Sequence, residues 1–232
     1  MPGRAAWDEY RAKRAGVAMG RADIIEESGV VAVVRLDDLS AAVPLTRALL
    51  AGGVRAVEFT FTNPRAGDAI SRVREAVGEE GLIGAGTVLD PETARIAILA
   101  GAEYIVTPTL NRTTIELCNR YSIPILSGAL TPTEILNAWE AGATYVKVHP
   151  ASLGGPKYFK DVLAPFPQVK LIPSGGVTFD NVAAFLNAGA VAVALGSALV
   201  DKHTVAIENW SGLTEMARRL MGIVAGARTH AI

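Results

Sequence analysis

The segment AWEAGATYVKVHP, residues 138–150, decides the fold, because it joins the end of one element directly to the start of the next. Residues 138–142 have the composition of a helix end, with Gly142 where a helix C-cap is expected. Residues 144–148 are β-branched or aromatic apart from Lys147, a composition typical of a buried strand. The segment therefore predicts a helix that ends at a glycine and leads at once into a strand.

Three other segments share this sequence pattern: LLAGGVRAVEFT (49–60), ILAGAEYIVTPT (98–109) and FLNAGAVAVALGS (185–197). Together with residues 138–150, they make four copies in the chain. The glycines that follow alanine in the four copies are Gly52, Gly101, Gly142 and Gly189. They are 49, 41 and 47 residues apart, about twice the length of one strand-plus-helix unit. A second strand and helix are therefore expected in each interval.

Three further apolar runs supply these strands, and a fourth precedes the first copy. Each is followed by turn residues and a helix start: VVAVVRLDDLS (30–40, before the first copy), GLIGAGTVLDPET (81–93), IPILSGALTPTE (123–134) and VKLIPSGGVTFDN (169–181). The clearest helix start is Thr131-Pro-Thr-Glu134, which has an N-cap threonine, a proline at the first helical position and a glutamate placed for a capping box. Together the two sets predict eight strands, beginning near residues 30, 55, 82, 103, 123, 144, 170 and 191, that alternate with helices.

This alternation favours a closed barrel. Near-continuous apolar strands separated by helices imply a parallel sheet covered on its outer face, and eight regular units are what a (β/α)8 TIM barrel requires. The alternative is an open doubly wound sheet, whose units usually vary more and which has no need of a fourfold pattern. We predict an α/β protein with one (β/α)8 barrel domain over residues 24–232 and an N-terminal helical extension over residues 1–23.

Charge and composition limit the partners. The chain has 22 basic and 23 acidic residues, so it has no general electrostatic affinity for nucleic acid or for an anionic membrane. Its one cysteine, Cys118, is expected to be a buried structural residue. The N-terminal residues lack the continuous apolar segment of a signal peptide. A cytoplasmic protein with no nucleic-acid or membrane partner is the prediction.

Two charged residues in apolar strands carry the functional argument. A buried ammonium is unfavourable, so Lys147 must reach outward, pair with a carboxylate, or be partly neutral and act as a nucleophilic amine suited to Schiff-base formation. Glu58, in RAVEFTFT, is the obvious partner, and an amine with a carboxylate is a minimal set for carbonyl chemistry. A purely structural ion pair explains the same two residues.

Register leaves this pairing open. When the copies are aligned without gaps on Ala-Gly, Glu58 falls one residue after the position of Lys147. Alternation along the strands then does not place both side chains inside the barrel. The stagger of the strands, or the additional residue Gly53, would restore the agreement.

Two glycine-rich turns, PSGGVTFDN and ALGSALV, follow the last two predicted strands. In such barrels these two loops often hold a phosphate on backbone N–H groups, with help from helix N-termini. The candidate residues are Ser174, Gly175, Gly176, Gly196 and Ser197. The alternative is that the glycines only form tight turns. His149 has no second histidine, cysteine or acid at ligand spacing, so no metal site is predicted.

The motifs AGGVRAVEFT, GAGTVLDPE, GAEYIVTP, YVKVHPA, PSGGV and GSALV occur in an order that resembles the class I aldolases acting on 2-keto-3-deoxy-6-phosphogluconate (KDPG). Relatives in that family act on 4-hydroxy-2-oxoglutarate (KHG) or on 2-keto-3-deoxy-6-phosphogalactonate (KDPGal). The resemblance covers residues 24–202 and implies a homotrimer without a metal ion or other cofactor.

The resemblance also implies residue roles. Lys147 corresponds to the Schiff-base lysine and Glu58 to the general acid/base. Thr87 and Pro108 correspond to residues lining the pyruvate end of the pocket. Gly175, Gly176, Gly196 and Ser197 take the phosphate-binding positions.

Four positions depart from the pattern of the family. Thr62 stands where many members have an arginine that holds the substrate carboxylate, so that role is assigned to Arg35, as in another branch. Ser174 replaces a threonine, and Ser127-Gly128 replaces Pro-Gly. His149 replaces an aromatic residue, usually phenylalanine. The last two changes bear on substrate preference more than on reaction type.

The predicted function is cleavage of KDPG, a small phosphosugar acid, to pyruvate and glyceraldehyde 3-phosphate. The alternatives are a related aldolase acting on KDPGal or KHG, a phosphosugar isomerase or epimerase that forms no imine, and a non-catalytic barrel that binds phosphosugars.

Overall fold

Eight parallel strands surround a common axis and alternate with helices in the computed structural model, which describes residues 20 and 22–229. The elements are α1 (22–28), β1 (Val30–Val34), α2 (Ala42–Ala51), β2 (Ala56–Thr60), α3 (Ala66–Val77), β3 (Leu82–Gly86), α4 (Pro91–Leu99), β4 (Tyr104–Val106), α5 (Arg112–Arg120), β5 (Ile125–Ala129), α6 (Pro132–Glu140), β6 (Tyr145–Val148), a 3-10 helix (Ala151–Leu153), α7 (Gly155–Leu163), β7 (Leu171–Pro173), α8 (Val182–Asn187), β8 (Val193–Leu195), α9 (Lys202–Ala206) and α10 (Trp210–Thr229). All eight predicted strands are confirmed, each beginning within two residues of its predicted start.

The sheet closes on itself. Its strand order is β7-β6-β5-β4-β3-β2-β1-β8, and a parallel bridge between Ser174 and Ala194 joins the two ends. The N–H of Val191 also donates to the carbonyl of Leu171 at 3.0 Å across this seam. The barrel is therefore confirmed over the open sheet.

Alternation along the strands divides the apolar residues into two layers. One layer fills the barrel interior and includes Val31, Ala56, Leu82 and Tyr104. The larger layer lies between the sheet and the surrounding helices. Because all eight strands are buried on both faces, a polar side chain that points inward must find its partner inside the barrel.

Helix α1 covers the amino-terminal end of the barrel. Ile25 is fully buried beneath the strands, and the hydroxyl of Tyr145 lies 2.8 Å from the Oε1 atom of Glu26. Lys170 donates to the same carboxylate at 2.6 Å. With one end closed in this way, the interior opens only at the carboxyl ends of the strands. Most of the predicted extension over residues 1–23 lies outside the described residues, and the proposed domain boundary stays a prediction.

The predicted start of α6 is confirmed in detail. Thr131 accepts a hydrogen bond from the N–H of Glu134, and the Glu134 carboxylate accepts one from the N–H of Thr131 at 2.8 Å. Within the described part of the chain, no helix is long and apolar enough to cross a membrane.

Candidate active site

Gly53 resolves the question of register between Glu58 and Lys147. Gly53 has a φ of +94°, as the glycines ending the other three copies do, whereas Gly52 has the right-handed conformation found at Ala100, Ala141 and Ala188. Gly53, not Gly52, is therefore the equivalent of Gly142. Counted from these two glycines, Glu58 and Lys147 each lie five residues on, and both side chains point into the barrel.

Packing explains why the copy at Gly52 departs from the Ala-Gly spelling. A Cβ atom at Gly52 would lie 2.3 Å from the Cβ of Ala217 and 2.7 Å from the carbonyl oxygen of Thr214, both on α10. The close approach of α2 and α10 thus demands a glycine where the other copies have alanine. The apparent one-residue offset in the sequence comes from this substitution.

Glu58 and Lys147 meet across the barrel from opposite strands. The Nζ atom of Lys147 lies 3.8 Å from the Oε1 atom of Glu58, and their side chains are 7% and 1% exposed. This separation is an ion-pair contact, longer than a hydrogen bond. Both carboxylate oxygens of Glu58 are buried without a hydrogen-bond partner among the described residues.

Burial controls the proton affinity of Glu58. Removal from water raises the pKa of the Glu58 carboxyl, and the positive charges of Lys147 and Arg35 oppose this only in part. A carboxyl with a raised pKa beside an amine is suited to take up and return a proton, which is what general acid/base catalysis requires.

Two glycines in β3 make room for the side chains of Glu58 and Tyr104, a feature that the sequence did not lead us to predict. A Cβ at Gly86 would lie 2.6 Å from the Oε1 atom of Glu58, and a Cβ at Gly84 would lie 2.4 Å from the ring of Tyr104. The available signal was two glycines inside the strand LIGAG, because glycine within a strand often marks a close approach.

Arg35 and Thr87 lie together at the open end. The Nη2 atom of Arg35 donates to the Thr87 hydroxyl at 3.4 Å, and the Arg35 residue is exposed at the mouth. Thr87 has a φ of +56°, an uncommon conformation for a residue other than glycine and one that is often found at functional sites.

Pro108 lies on the neighbouring side of the mouth. A Cβ at Gly128 would come within 2.1 Å of the carbonyl carbon of Pro108, so glycine at this position lets the β4–α5 loop lie directly over β5. Ser127, the residue before Gly128, is buried, and its hydroxyl is unpaired among the described residues. Because side chains alternate along β5 and Gly128 faces the barrel interior, the Ser127 side chain faces away from it.

The loops after β7 and β8 present unpaired N–H groups at the same mouth. Gly175 and Gly176 have φ values of +79° and +83°, which favour glycine. Together with Gly196 and Ser197, they donate no backbone hydrogen bond to any described residue. Ser174 is buried and joins β7 to β8. Neighbouring unpaired N–H groups of this kind form an anion-binding concavity.

Helix N-termini are expected to assist at these two loops. Helix α8 begins at Val182 and α9 at Lys202, each five or more residues along the chain from the glycine turns. The contribution of the helix N-termini stays a prediction.

His149 lies in the turn directly after β6, two residues beyond Lys147. Its Nδ1 atom lies 3.3 Å from the carbonyl oxygen of Ser174. Burial lowers the pKa of His149, and the charges of Lys147 and Arg35 lower it further. Among the described residues, no group of three histidine, cysteine or acidic side chains is arranged to hold a metal ion.

Cys118 lies far from this chemistry, in the outer layer. It is fully buried, and burial raises the pKa of its thiol to about 12. The prediction of a structural cysteine is confirmed.

An interior amine that faces a buried carboxyl, below a mouth lined with loop N–H groups that are unpaired among the described residues, fits a barrel enzyme of carbonyl chemistry. Comparison with known proteins narrows that class. The family model for KDPG and KHG aldolases matches residues 22–216. A 2-dehydro-3-deoxy-phosphogluconate aldolase of Treponema pallidum is 35% identical over 203 residues, which are 87% of this chain and 96% of that protein.

Two further relatives agree. A KHG/KDPG aldolase of Escherichia coli K12 is 33% identical over 84% of this chain and 92% of that protein. The KDPG aldolase of Legionella pneumophila, whose structure holds pyruvate captured as a covalent carbinolamine intermediate, is 30% identical with a TM-score of 0.81, covering 86% of this chain and 97% of that one. The chain belongs to the KDPG and KHG aldolase family, and it is a class I aldehyde-lyase.

Proposed function

We propose that this protein cleaves KDPG to pyruvate and glyceraldehyde 3-phosphate through a Schiff base on Lys147. The observation that carries the proposal is the contact between the Lys147 amine and the Glu58 carboxyl, 3.8 Å apart in the closed interior of the barrel. A structural ion pair alone gives no reason for the unpaired N–H groups of the loops above it.

The reaction begins at Lys147. The neutral amine attacks the C2 ketone of the substrate, and loss of water gives an iminium ion. Glu58 lies close enough to take the proton that the amine loses and to give it to the departing carbinolamine hydroxyl, which leaves as water and returns Glu58 to its basic form. Arg35, exposed at the mouth beside Thr87, pairs with the substrate carboxylate. Thr87 and Pro108 line the pyruvate end.

Bond cleavage follows from the charge on the iminium nitrogen. Glu58 removes the proton of the C4 hydroxyl, the electrons of the C3–C4 bond move towards the iminium, and glyceraldehyde 3-phosphate leaves. Glu58 then returns a proton to C3 of the enamine, and hydrolysis of the resulting iminium releases pyruvate and frees Lys147. The N–H groups of Gly175, Gly176, Gly196 and Ser197, with the hydroxyl of Ser174, hold the phosphate.

Borohydride trapping tests the Schiff base. Incubation with pyruvate and borohydride is expected to modify Lys147 alone, which peptide mass mapping would locate. K147R is the matched control, because arginine keeps the positive charge facing Glu58 but forms no imine. An adduct on another lysine, or an adduct of equal yield in K147R, contradicts the proposal.

The choice of keto acid is tested separately by pyruvate release. We expect the highest kcat/KM with KDPG, lower values with KDPGal and KHG, and no isomerisation of phosphosugars. A higher value with KDPGal or KHG would replace the substrate but keep the reaction. Phosphosugar binding without pyruvate release would favour a non-catalytic barrel.

We further propose that the protein acts as a cytoplasmic homotrimer without a metal ion or other cofactor, and without a nucleic-acid or membrane partner. The support for self-association is an apolar surface around α4, where the side chains of Leu89, Ile96 and Leu99 are 58% to 69% exposed. Light scattering during size-exclusion chromatography is expected to give three times the mass of one chain. A monomer would refute this part of the proposal alone.

A further inference from the structure

His149 is the polar side chain at the mouth for which the proposed reaction gives no role. It follows Tyr145 and Lys147 at the next second position, directly after the end of β6, and these two side chains point into the barrel. The N–H of His149 donates to the carbonyl of Ala129 at 3.0 Å, which continues the ladder between β5 and β6. Its ring lies against Gly175, where a Cβ atom would meet the Nδ1 atom of His149 at 2.9 Å and its Cε1 atom at 3.0 Å. The ring therefore lies between the lysine below it and the anion-binding loop beside it.

The hydrogen bond to Ser174 fixes the state of the ring. A carbonyl oxygen only accepts, so the Nδ1 atom of His149 carries a hydrogen and donates to Ser174 at 3.3 Å. Burial lowers the pKa of His149, as do the neighbouring Lys147 and Arg35, and the neutral imidazole is therefore favoured. In that form the other ring nitrogen, Nε2, is an acceptor, and it forms no hydrogen bond to any described residue.

The position of the ring identifies which part of a substrate it meets. On the proposed function, Lys147 holds C2 of the keto acid, and the loop that contains Gly175 holds the phosphate on C6. A side chain between these two anchors faces the carbons between them. The C4 hydroxyl is already assigned to Glu58, so the hydroxyl that remains is the one on C5.

We infer that the Nε2 atom of His149 accepts a hydrogen bond from the C5 hydroxyl of the substrate, the hydroxyl that belongs to the aldehyde half. This inference rests on the proposed function and deepens it, since it makes His149 a specificity-determining residue for the aldehyde. A group that accepts a hydrogen bond from a substrate hydroxyl discriminates against an analogue that lacks it. An apolar ring at this position offers no such discrimination.

The aldol addition of pyruvate to an aldehyde tests this contact directly. Glyceraldehyde 3-phosphate carries the hydroxyl that becomes the C5 hydroxyl, whereas 3-phosphooxypropanal has the same length and phosphate without it. We expect the native enzyme to prefer the hydroxylated aldehyde by about tenfold in kcat/KM, the size of one neutral hydrogen bond near the upper end of its range. In H149F this preference is expected to fall to about onefold.

Two matched variants separate substrate contact from a structural role. H149Q places an amide near the position of Nε2 and is expected to recover part of the preference, whereas H149N places one near Nδ1 and is expected to behave like H149F. Recovery by H149N and not by H149Q would overturn the inference, because the ring would then act through the carbonyl of Ser174. An unchanged preference in all three variants would overturn it as well.

Pyruvate trapping keeps this test independent of the proposed function. Pyruvate has no aldehyde half, so H149F is expected to still form the borohydride adduct on Lys147. A native enzyme that forms no adduct refutes the proposed function whatever His149 does. An enzyme that forms the adduct but shows no preference for the hydroxylated aldehyde refutes the role of His149 alone.

Discussion

Replacement of Glu58 by glutamine tests the buried carboxyl through the pH dependence of stability. Glutamine keeps the shape of the side chain but does not titrate. In the native protein, burial raises the pKa of Glu58 above the 4.5 of an unperturbed glutamate. At a pH between the pKa of Glu58 in the unfolded chain and its raised pKa in the folded protein, the folded protein holds one proton that the unfolded chain has released.

The sign and size of the effect follow from proton linkage. Because the folded state binds one more proton in this interval, the free energy of unfolding falls by about 1.4 kcal/mol for each pH unit as the pH rises. The stabilisation from Glu58 is complete below about pH 4.5 and is lost as the pH rises through the folded-state pKa. E58Q lacks this dependence, so the difference between the two proteins isolates it.

Urea unfolding followed by circular dichroism, from about pH 4 to about pH 7 at one fixed protein concentration, measures the difference. The exposed residue Glu140 provides the matched control, and E140Q is expected to keep the pH dependence of the native protein. Parallel curves for the native protein and E58Q would refute a raised pKa. If the stability of the native protein relative to E58Q rises with pH instead of falling, the pKa of Glu58 is lowered. For catalysis, E58Q is expected to lose about 10²- to 10⁴-fold in kcat.

Three further predictions concern packing. G52A is expected to lower the free energy of unfolding by about 1–3 kcal/mol, because the added methyl group would lie 2.3 Å from the Cβ of Ala217. Urea unfolding measures this change, and a loss below about 0.5 kcal/mol would contradict the close approach of the two helices. Y104F is expected to be neutral or to stabilise by about 1 kcal/mol, since the Tyr104 hydroxyl is buried without a partner among the described residues; a clear loss of stability would reveal a partner. The Cys118 thiol, with its pKa raised to about 12, is expected to react with a maleimide only in the unfolded protein, and prompt labelling of the native protein would refute its burial.

Most of the fold was predictable because the fourfold pattern is local. Each copy specifies a helix end, a glycine and a strand within about a dozen residues, and the capping box at Thr131 marks a helix start from four letters. Closure of the barrel was predictable only as a count of units, because it requires β1 to pair with β8, which places Val30 opposite Val193.

The meeting of Glu58 and Lys147 depended on one residue that the sequence left ambiguous. Which of Gly52 and Gly53 carries the left-handed conformation decides whether the carboxylate points inward, and that choice is made by the packing of α10, more than 160 residues away. The distances within the mouth, including the contact of His149 with Ser174, depend on loops from separate strands and have no local signal.

The common offset of five residues from each left-handed glycine has a consequence for how such an enzyme can change. Counted in the same way, Val106 on β4 and Ala194 on β8 are equivalent to Glu58 on β2 and Lys147 on β6. These four equivalent positions come from alternate strands, the arrangement that builds one layer inside a barrel. Two point mutations can therefore move a reactive side chain from one of these positions to another, with no insertion or deletion. The repeat that builds the barrel thus also provides equivalent positions from which a reactive group can face the same interior.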